Sequence, residues 1–399
     1  MTHPPNDHEV DFKPTEVFYS RTDSRGVIRS GNSVFLRVSG YPPDQLIGAP
    51  HKIIRHPDMP KGLFHLFWRR LGAGQPVLAF VKNRAADGRH YWTLSLACPN
   101  GDGYLSVRIK PIGPLFAKIP ALYASLLEAE AAGTSPEGSE TALLAKLAEM
   151  GFPSYEAFMC EALRTEFAER RKRGLGGDVP FLSHHDRISD GLRRLAVEQD
   201  ALIGVLDMMH LLPTNMRILA GRLEASGGPV SAVSETYRLA VTDIFETLRR
   251  LGQDGGKGTD AATLLSEALF SIGALLIYSA CANALETEMR GGGDGVAQEA
   301  ATMRGLTESY EREAITRLQE IAARTADLGH RCDELRRKMI GLDQIRIMGD
   351  IESGRMPGRS ELSILMEQLA QYHADIRARL MVLISLASDL QSRALQSVA

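Results

Sequence analysis

Hydrophobic positions change their period about a third of the way along the chain. Between Val17 and Ile112 they fall in short β-rich runs: Val17-Phe18-Tyr19, Val27-Ile28, Leu78 to Val81, His90 to Ala97 and Tyr104 to Ile109. Asp87-Gly88 and Asn100-Gly101 separate the last three runs, at places where a tight hairpin needs positive φ. Helical patterns lie between the second and third runs, at Asn32 to Val38, from Pro42-Pro43-Asp44 onward, and at Lys61 to Leu71. Two strands, a helical insert and three further strands predict an α+β domain. Its five-stranded antiparallel sheet would carry helices over one face and enclose a ligand pocket.

Beyond Pro114 the strand signal fades. Ile119 to Ala132 reads as a helix leaving the domain, GTSPEGS (Gly133 to Ser139) as linker, and Glu140 to Arg173 as a second helical block ending in the basic run RRKR. From His184 a helical period is sustained through Ile188, Leu192, Leu195, Leu202 and Leu206, and then through Val230, Val233, Tyr237, Ala240, Ile244, Leu248 and Leu251. It returns at Leu328, Cys332, Leu335, Met339 and Leu342, and again from Leu362 through Leu365, Leu369, Tyr372, Ile376 and Leu383 to Leu390. Breaks fall at Gly252 to Gly258, Gly291 to Gly295 and Ser353 to Pro357. The expected organisation is a disordered N-terminus (1–14), the α+β domain (15–115), a helical linker (116–182) and an all-α bundle or coiled-coil region (183–399).

Composition narrows the functional classes. With 46 basic and 49 acidic side chains the net charge is −3, which gives no global field for nucleic acid. The N-terminus MTHPPNDHEV lacks the basic-then-apolar run of a secretory signal, so a cytoplasmic protein is expected. Ala268 to Leu285 approaches membrane-span length but carries Ser, Tyr and Asn, and it reads as a buried bundle helix. Cys98, Cys160, Cys281 and Cys332 are scattered without a CxxC pair, so neither zinc nor a disulfide framework is indicated.

The most specific run in the chain is Ile54-Arg55-His56-Pro57-Asp58-Met59-Pro60. A guanidinium, an imidazole and a carboxylate occupy four positions, and prolines stiffen the backbone on both sides. Such a cluster can hold polar groups at the mouth of an apolar pocket. Asp58 as a helix cap, or Arg55 paired with Asp58, would explain the same residues structurally.

The stretch from Phe18 to Pro111 resembles the PAS domain of bacterial aerotaxis receptors. The resemblance rests on TDSRGVI (Thr22 to Ile28), Asn32 and Phe35 in GNSVF, SGYPPDQLIG (Ser39 to Gly48), HKIIRHPDMP (His51 to Pro60), VKNR (Val81 to Arg84) and DGRHYW (Asp87 to Trp92). It implies a PAS fold and noncovalent FAD whose redox state is reported to partners, which would make the protein a redox or oxygen sensor. Carried over position by position, it implies that Asn32, Arg55, His56, Asp58 and Asn83 contact the cofactor. One position departs from the pattern: Val77 stands where flavin-binding members usually carry tryptophan. Haem, with His51, His56, His65 and His90 as the available histidines, or no ligand at all, are the alternatives.

Asn215 to Arg238 resembles a degenerate copy of the hairpin tip of methyl-accepting chemotaxis proteins, at Asn215, Ile218, Ala220, Arg222, Gly227, Val233, Glu235 and Arg238. That resemblance implies contact with the chemotaxis histidine kinase or its coupling protein. Gly227-Gly228 would supply the turn and Pro229 would open the second arm. No phosphate-binding lysine loop, kinase signature, zinc-protease run or nucleophile elbow is present, so the chain is not expected to be an enzyme. A homodimer is expected, and a ligand-free PAS scaffold or adaptor is the competing reading.

Overall fold

The alternating runs form one antiparallel sheet of β1 (Val17–Asp23), β2 (Ile28–Gly31), β3 (Val77–Arg84), β4 (His90–Asn100) and β5 (Gly103–Ile109), in the order β2-β1-β5-β4-β3. The computed structural model describes residues 4–175, 180–209, 212–224, 227–253, 258–290, 297–355 and 361–397. Its contacts divide the chain into two units, Met1–Leu182 with Ser266–Ile315, and Ser183–Leu265 with Thr316–Ala399.

Register decides which side chains share a face. Ser20 pairs with Ser106, Ala97 with Ser106 and Val77 with Ala97, so these four form one row across the sheet. Phe18, Arg108, Ser95 and Ala79 form the next row. The opposite face carries Tyr19, Leu78, Phe80, Leu94, Leu96, Leu105, Val107 and Ile109, all buried. Gly103 is required where β5 meets β1, because a Cβ there would lie 1.9 Å from the Thr22 carbonyl oxygen. Gly88 and Gly101 take φ of 86° and 60° in the two hairpin turns, as Asp-Gly and Asn-Gly predict.

The insert between β2 and β3 contains α1 (Ser33–Ser39), α2 (Pro43–Leu46), a short 3-10 turn (His51–Ile54) and α3 (Lys61–Gly72). After β5 come α4 (Ile119–Ala131), α5 (Pro136–Glu149) and α6 (Tyr155–Lys172). These three helices do not leave the domain as a linker. Leu122, Tyr123 and Leu126 of α4 and Phe158, Met159 and Leu163 of α6 are buried in the same core as the sheet. Tyr123 Oη donates to Phe80 O at 2.8 Å and Tyr155 Oη to Leu78 O at 2.9 Å, so tyrosines satisfy outward carbonyls of the edge strand β3. Within GTSPEGS, Ser135 caps α5 through Gly138 N (3.1 Å), and the helix begins at Pro136. Part of the expected linker is thus a helix start.

Residues 4–14 are also ordered against the domain, where disorder was expected. Val10 N donates to His90 O at 2.7 Å, and Val10 and Phe12 are buried. Phe12 meets Phe18 and Tyr91 edge to face. The polar composition hid an alternation, Val10-Asp11-Phe12, that places two apolar side chains on one side.

The remaining helices are α7 (Pro180–Met209), α8 (Leu212–Leu223), α9 (Pro229–Gln253), α10 (Gly258–Arg290), α11 (Ala297–Gly354) and α12 (Glu361–Gln396). Thr263–Arg290 of α10 is long and apolar enough to cross a membrane, yet 61% of its most apolar window is buried in the protein. Ile277, Tyr278, Cys281 and Leu285 join the core of the first unit, and Gly273 packs so closely that a Cβ would meet Leu163 at 2.7 Å. In the second unit the heptad-like positions Ile188, Leu195, Tyr237, Ile244, Leu335, Met339, Leu369, Ile376 and Leu383 are buried as the periodicity predicts, whereas the side chains of Leu248 and Leu251 lie outside the described residues. Gly227 takes φ of 80° before α9, and Glu224 accepts from Val230 N and Ser231 N at the start of that helix.

Candidate functional site

A cavity of about 270 Å³ lies in the first unit between the inner face of the sheet and the insert. The floor is built by strand alternation: Ser20 and Thr22 from β1, Tyr104, Ser106 and Arg108 from β5, Ser95 and Ala97 from β4, and Val81 and Asn83 from β3. The roof comes from His51, Lys52, Ile54 and Arg55 and from one stripe of α3, namely Phe64, Phe67, Trp68 and Leu71. These α3 positions are spaced by three and four residues, which places them on one side of the helix.

Local backbone contacts hold the roof in place. His51 N donates to Gly26 O at 2.8 Å, and an antiparallel bridge joins Arg55 to Asn83 of β3. On its other sides α3 is clamped to the helices after the sheet. Glu140 of α5 accepts from Arg69 Nε at 3.0 Å and pairs with His65 Nδ1 at 2.6 Å, and Arg70 pairs with Glu156 of α6. Gly62 lets α3 approach α5, since a Cβ there would lie 2.4 Å from the Ser139 backbone.

The electrostatics of the cavity are one-sided. Arg108 is 4% exposed; its Nη1 donates to Ser20 Oγ (2.9 Å) and Ser106 O (3.1 Å), and its Nη2 donates to His51 Nε2 (2.8 Å). An arginine nitrogen can only donate, so His51 Nε2 must accept, and a neutral His51 carries its proton on Nδ1. Burial, with Arg108 and Arg55 nearby, holds the His51 pKa well below the usual imidazole range. Burial also pushes Arg108 down to about 10. The Arg55 guanidinium lies 3.6 Å above the Phe64 ring, and burial lowers its pKa as well. Among the described residues no carboxylate pairs with Arg55 or Arg108, and no Asp or Glu lines the cavity. The Ser106 hydroxyl is buried without a hydrogen-bond partner. Asn83 Nδ2 donates to Val81 O and Thr93 Oγ1, and among the described residues no donor meets its carbonyl oxygen.

The five residues implied by the family resemblance divide. Arg55 and Asn83 line the cavity together. Asn32 does not: its Oδ1 accepts from Phe35 N and Tyr19 N, both at 3.3 Å, and its Nδ2 donates to Val17 O at 3.2 Å, so it caps α1 and ties it to β1. His56 and Asp58 also stand outside the lining. His56 Nδ1 accepts from Asp58 N at 3.1 Å, and Asp58 pairs with Lys82 at 2.6 Å. Burial and Lys82 bring the His56 pKa down to about 4. Val77 is on the cavity-facing side of the sheet, in line with Ala97 and Ser106, but it does not reach the cavity. The aromatic wall is supplied instead by Phe64, Phe67, Trp68 and Tyr104, with Trp68 edge to face on Tyr104 at 5.4 Å.

Ser20, Ser106, Arg108 and Trp68 were not singled out from the sequence. In β5 the polar set Tyr104, Ser106, Arg108 alternates with Leu105, Val107, Ile109, a pattern that ordinarily marks a solvent-facing side. The insert covers that side and turns its polar residues inward.

This sheet order, with its helical insert and enclosed cavity, corresponds to the family model described as PAS fold, which matches residues 29–103. Residues 29–103 carry a PAS fold. The PAS domain is similar to the aerotaxis receptor of Escherichia coli (strain K12), with 39% identity over 112 residues. That match spans 27% of this chain and 22% of the receptor. Among solved structures, a PAS domain from Colwellia psychrerythraea is 21% identical, covering 24% of this chain and 85% of that one at a TM-score of 0.21. The dark structure of the blue-light photoreceptor Aureochrome1 LOV is 20% identical, covering 27% and 84% at 0.24. A LOV domain from a blue-light-activated histidine kinase of Erythrobacter litoralis is 15% identical, covering 23% and 90% at 0.21.

A flavin fits the cavity residues of the PAS domain. Its ring system is flat and apolar on both faces and polar along its carbonyl and nitrogen edge. The cavity offers an aromatic wall and, among the described residues, two guanidiniums without carboxylates, a hydroxyl without a partner and an amide carbonyl that no donor meets.

Proposed function

We propose that this chain is a PAS-domain sensor that binds FAD and passes the cofactor's redox state through its helices to partner proteins. The observation that carries the reading is the cavity's unbalanced chemistry: buried Arg108 and half-buried Arg55 have no carboxylate partner among the described residues, and they line the same cavity as a Ser106 hydroxyl without a hydrogen-bond partner. A buried cation left without an anion is costly, so such a site is explained by a ligand that supplies acceptors.

Arg108 and Arg55 would donate to the carbonyl edge of the ring system, Asn83 would accept through its carbonyl oxygen, and Phe64 and Trp68 would cover the ring. When bound, a flavin supplies reversible uptake of electrons and protons. The chain's own part is to exclude water and to hold positive charge where the ring is reduced. Flavin is favoured over haem because His51, the histidine lining the cavity, already has Nε2 engaged by Arg108 and Ser20. The roof helix α3 is ion-paired to α5 and α6, so a change in cavity charge has a route to the helices after the sheet. The aerotaxis relative supports a redox or oxygen signal, and the likeness of Asn215 to Arg238 to a receptor hairpin tip supports a chemotaxis kinase or coupling protein as partner.

The test is the visible absorption of the full-length protein as purified. The expected result is a flavin spectrum that disappears in Arg55→Ala. A colourless protein that takes up no added FAD would overturn the reading.

A further inference from the structure

Within the second unit, α11 has one covered side and one bare side. On the covered side Leu335, Met339 and Leu342 are buried, and Gly349 lies so close to α12 that a Cβ there would meet Met366 Sδ at 2.4 Å. On the opposite side Ile340, Ile347, Met348 and Ile351 are 49–57% exposed, with exposed Gln344 among them. Steps of three and four residues put these five on one face of the helix. Single exposed apolar side chains are ordinary on a protein surface, but four large ones within three helical turns make a patch.

The charges at the two ends of the patch repeat. Glu334 and Arg337 precede it and Glu352 and Arg355 close it, each glutamate three residues ahead of its arginine. Laid antiparallel on a second copy, Ile340 comes opposite Ile351 and Gln344 opposite Ile347. The same overlay brings Glu334 opposite Arg355 and Arg337 opposite Glu352, so opposite charges meet four times about the twofold axis. Among the described residues Arg337 has no carboxylate partner within its own chain, whereas Glu334 pairs with Lys338 and Glu352 with Arg355. Asp343 and Asp350 approach each other on the other edge, but Arg377 and Arg346 of the same chain already pair with them. A parallel copy would instead set Arg337 against Arg337. The helix is already formed and packed against α12, so pairing does not have to order it.

We propose that this face of α11 is where two copies of the chain meet, antiparallel, about a twofold axis between Gln344 and Ile347. The apolar side chains form the centre of the contact, and the glutamate–arginine pairs at its ends set the orientation.

Sedimentation equilibrium of the full-length protein tests the pairing. A dimer in the micromolar range is expected. Ile347→Glu, which sets two carboxylates beside the axis, should weaken it at least a hundredfold while keeping the helical circular dichroism, because the side chain is half exposed in the single chain. Cysteine crosslinking reads the orientation. Oxidised Ile340→Cys/Ile351→Cys should give a disulfide-linked dimer and neither single variant should, since along one helix the two positions stand about 16 Å apart. The four native cysteines are buried and do not compete. A protein that stays monomeric through the micromolar range, a dimer that survives Ile347→Glu, or crosslinking by a single cysteine would overturn the proposal. If Ile347→Glu loses its helical signal, the double-cysteine variant decides: a linked dimer upholds the face, and its absence overturns it.

Discussion

Arg108 donates from Nη2 to Nε2 of His51 across 2.8 Å, and no carboxylate balances the pair among the described residues. The contact makes His51 an acceptor, keeps it neutral, and leaves a guanidinium buried on the floor of the PAS cavity. A ligand-free protein gains little from that arrangement, because solvating a buried cation with neutral groups rarely matches water.

Arg108→Met should therefore separate stability from binding. Methionine removes a buried cation that no carboxylate balances among the described residues, and the desolvation cost it relieves should offset the lost donors to Ser20 Oγ, Ser106 O and His51 Nε2. Thermal unfolding of the ligand-free variant should occur at or above the wild-type temperature. Flavin affinity should fall at least tenfold, as expected for the loss of charge-assisted hydrogen bonds worth roughly 1.5–3 kcal/mol. A variant that unfolds much earlier yet binds normally would make Arg108 a structural residue.

Acid should weaken the PAS domain before most carboxylates titrate. His51 and His56 are both held below the ordinary imidazole value, His56 at about 4, so between their folded values and about 6.5 the unfolded chain binds more protons. Stability is then complete above that window and is lost as pH falls through it. Urea midpoints measured from pH 7.5 down to pH 5 should decline, and His51→Gln should flatten the decline. An unchanged slope in that variant would show that His51 is charged or exposed in the native state.

A buried ion pair ties the last strand to the helices that follow it. Glu166 Oε2 accepts from Ile112 N at 3.0 Å and Gly113 N at 2.8 Å, Oε1 pairs with Arg170 at 2.8 Å, and Arg170 reaches Pro14 O and Lys110 O. Glu166→Ala leaves Arg170 and two backbone amides unsatisfied and should cost about 3–5 kcal/mol. Glu166→Gln keeps an acceptor for the amides and should cost less. Denaturation curves of the two variants check the ranking, and equal costs would refute it.

The strands and the hairpin turns were legible because each rests on local chemistry, β-rich runs and Asp-Gly and Asn-Gly turns; the expected breaks at Gly252 to Gly258, Gly291 to Gly295 and Ser353 to Pro357 lie mostly outside the described residues, and Gly252 and Ser353 are helical, in α9 and α11. The packing of α4 to α6 on the sheet was not legible. Tyr123 and Tyr155 look like ordinary helix residues until their hydroxyls are seen on the edge of β3. The site was half legible. Arg55 and Asn83 stood out through family motifs, and Asn32 stood out equally, although in the fold it caps a helix. Arg108 and Ser106 depend on which face of β5 the insert covers, a fact about residues far away in the chain. For the same reason His373 escaped notice. Only the meeting of α9, α11 and α12 places it between Tyr237 Oη (3.2 Å) and Asp343 Oδ1 (2.8 Å) in the second unit.

The most direct test of the cavity as the flavin site is an FAD titration of the full-length Ser106→Leu variant beside the wild type. Leucine removes a buried hydroxyl that has no partner and fills part of the space, so thermal stability should hold or rise while flavin binding is lost. A folded Ser106→Leu protein that binds FAD as tightly as the wild type would contradict the assignment.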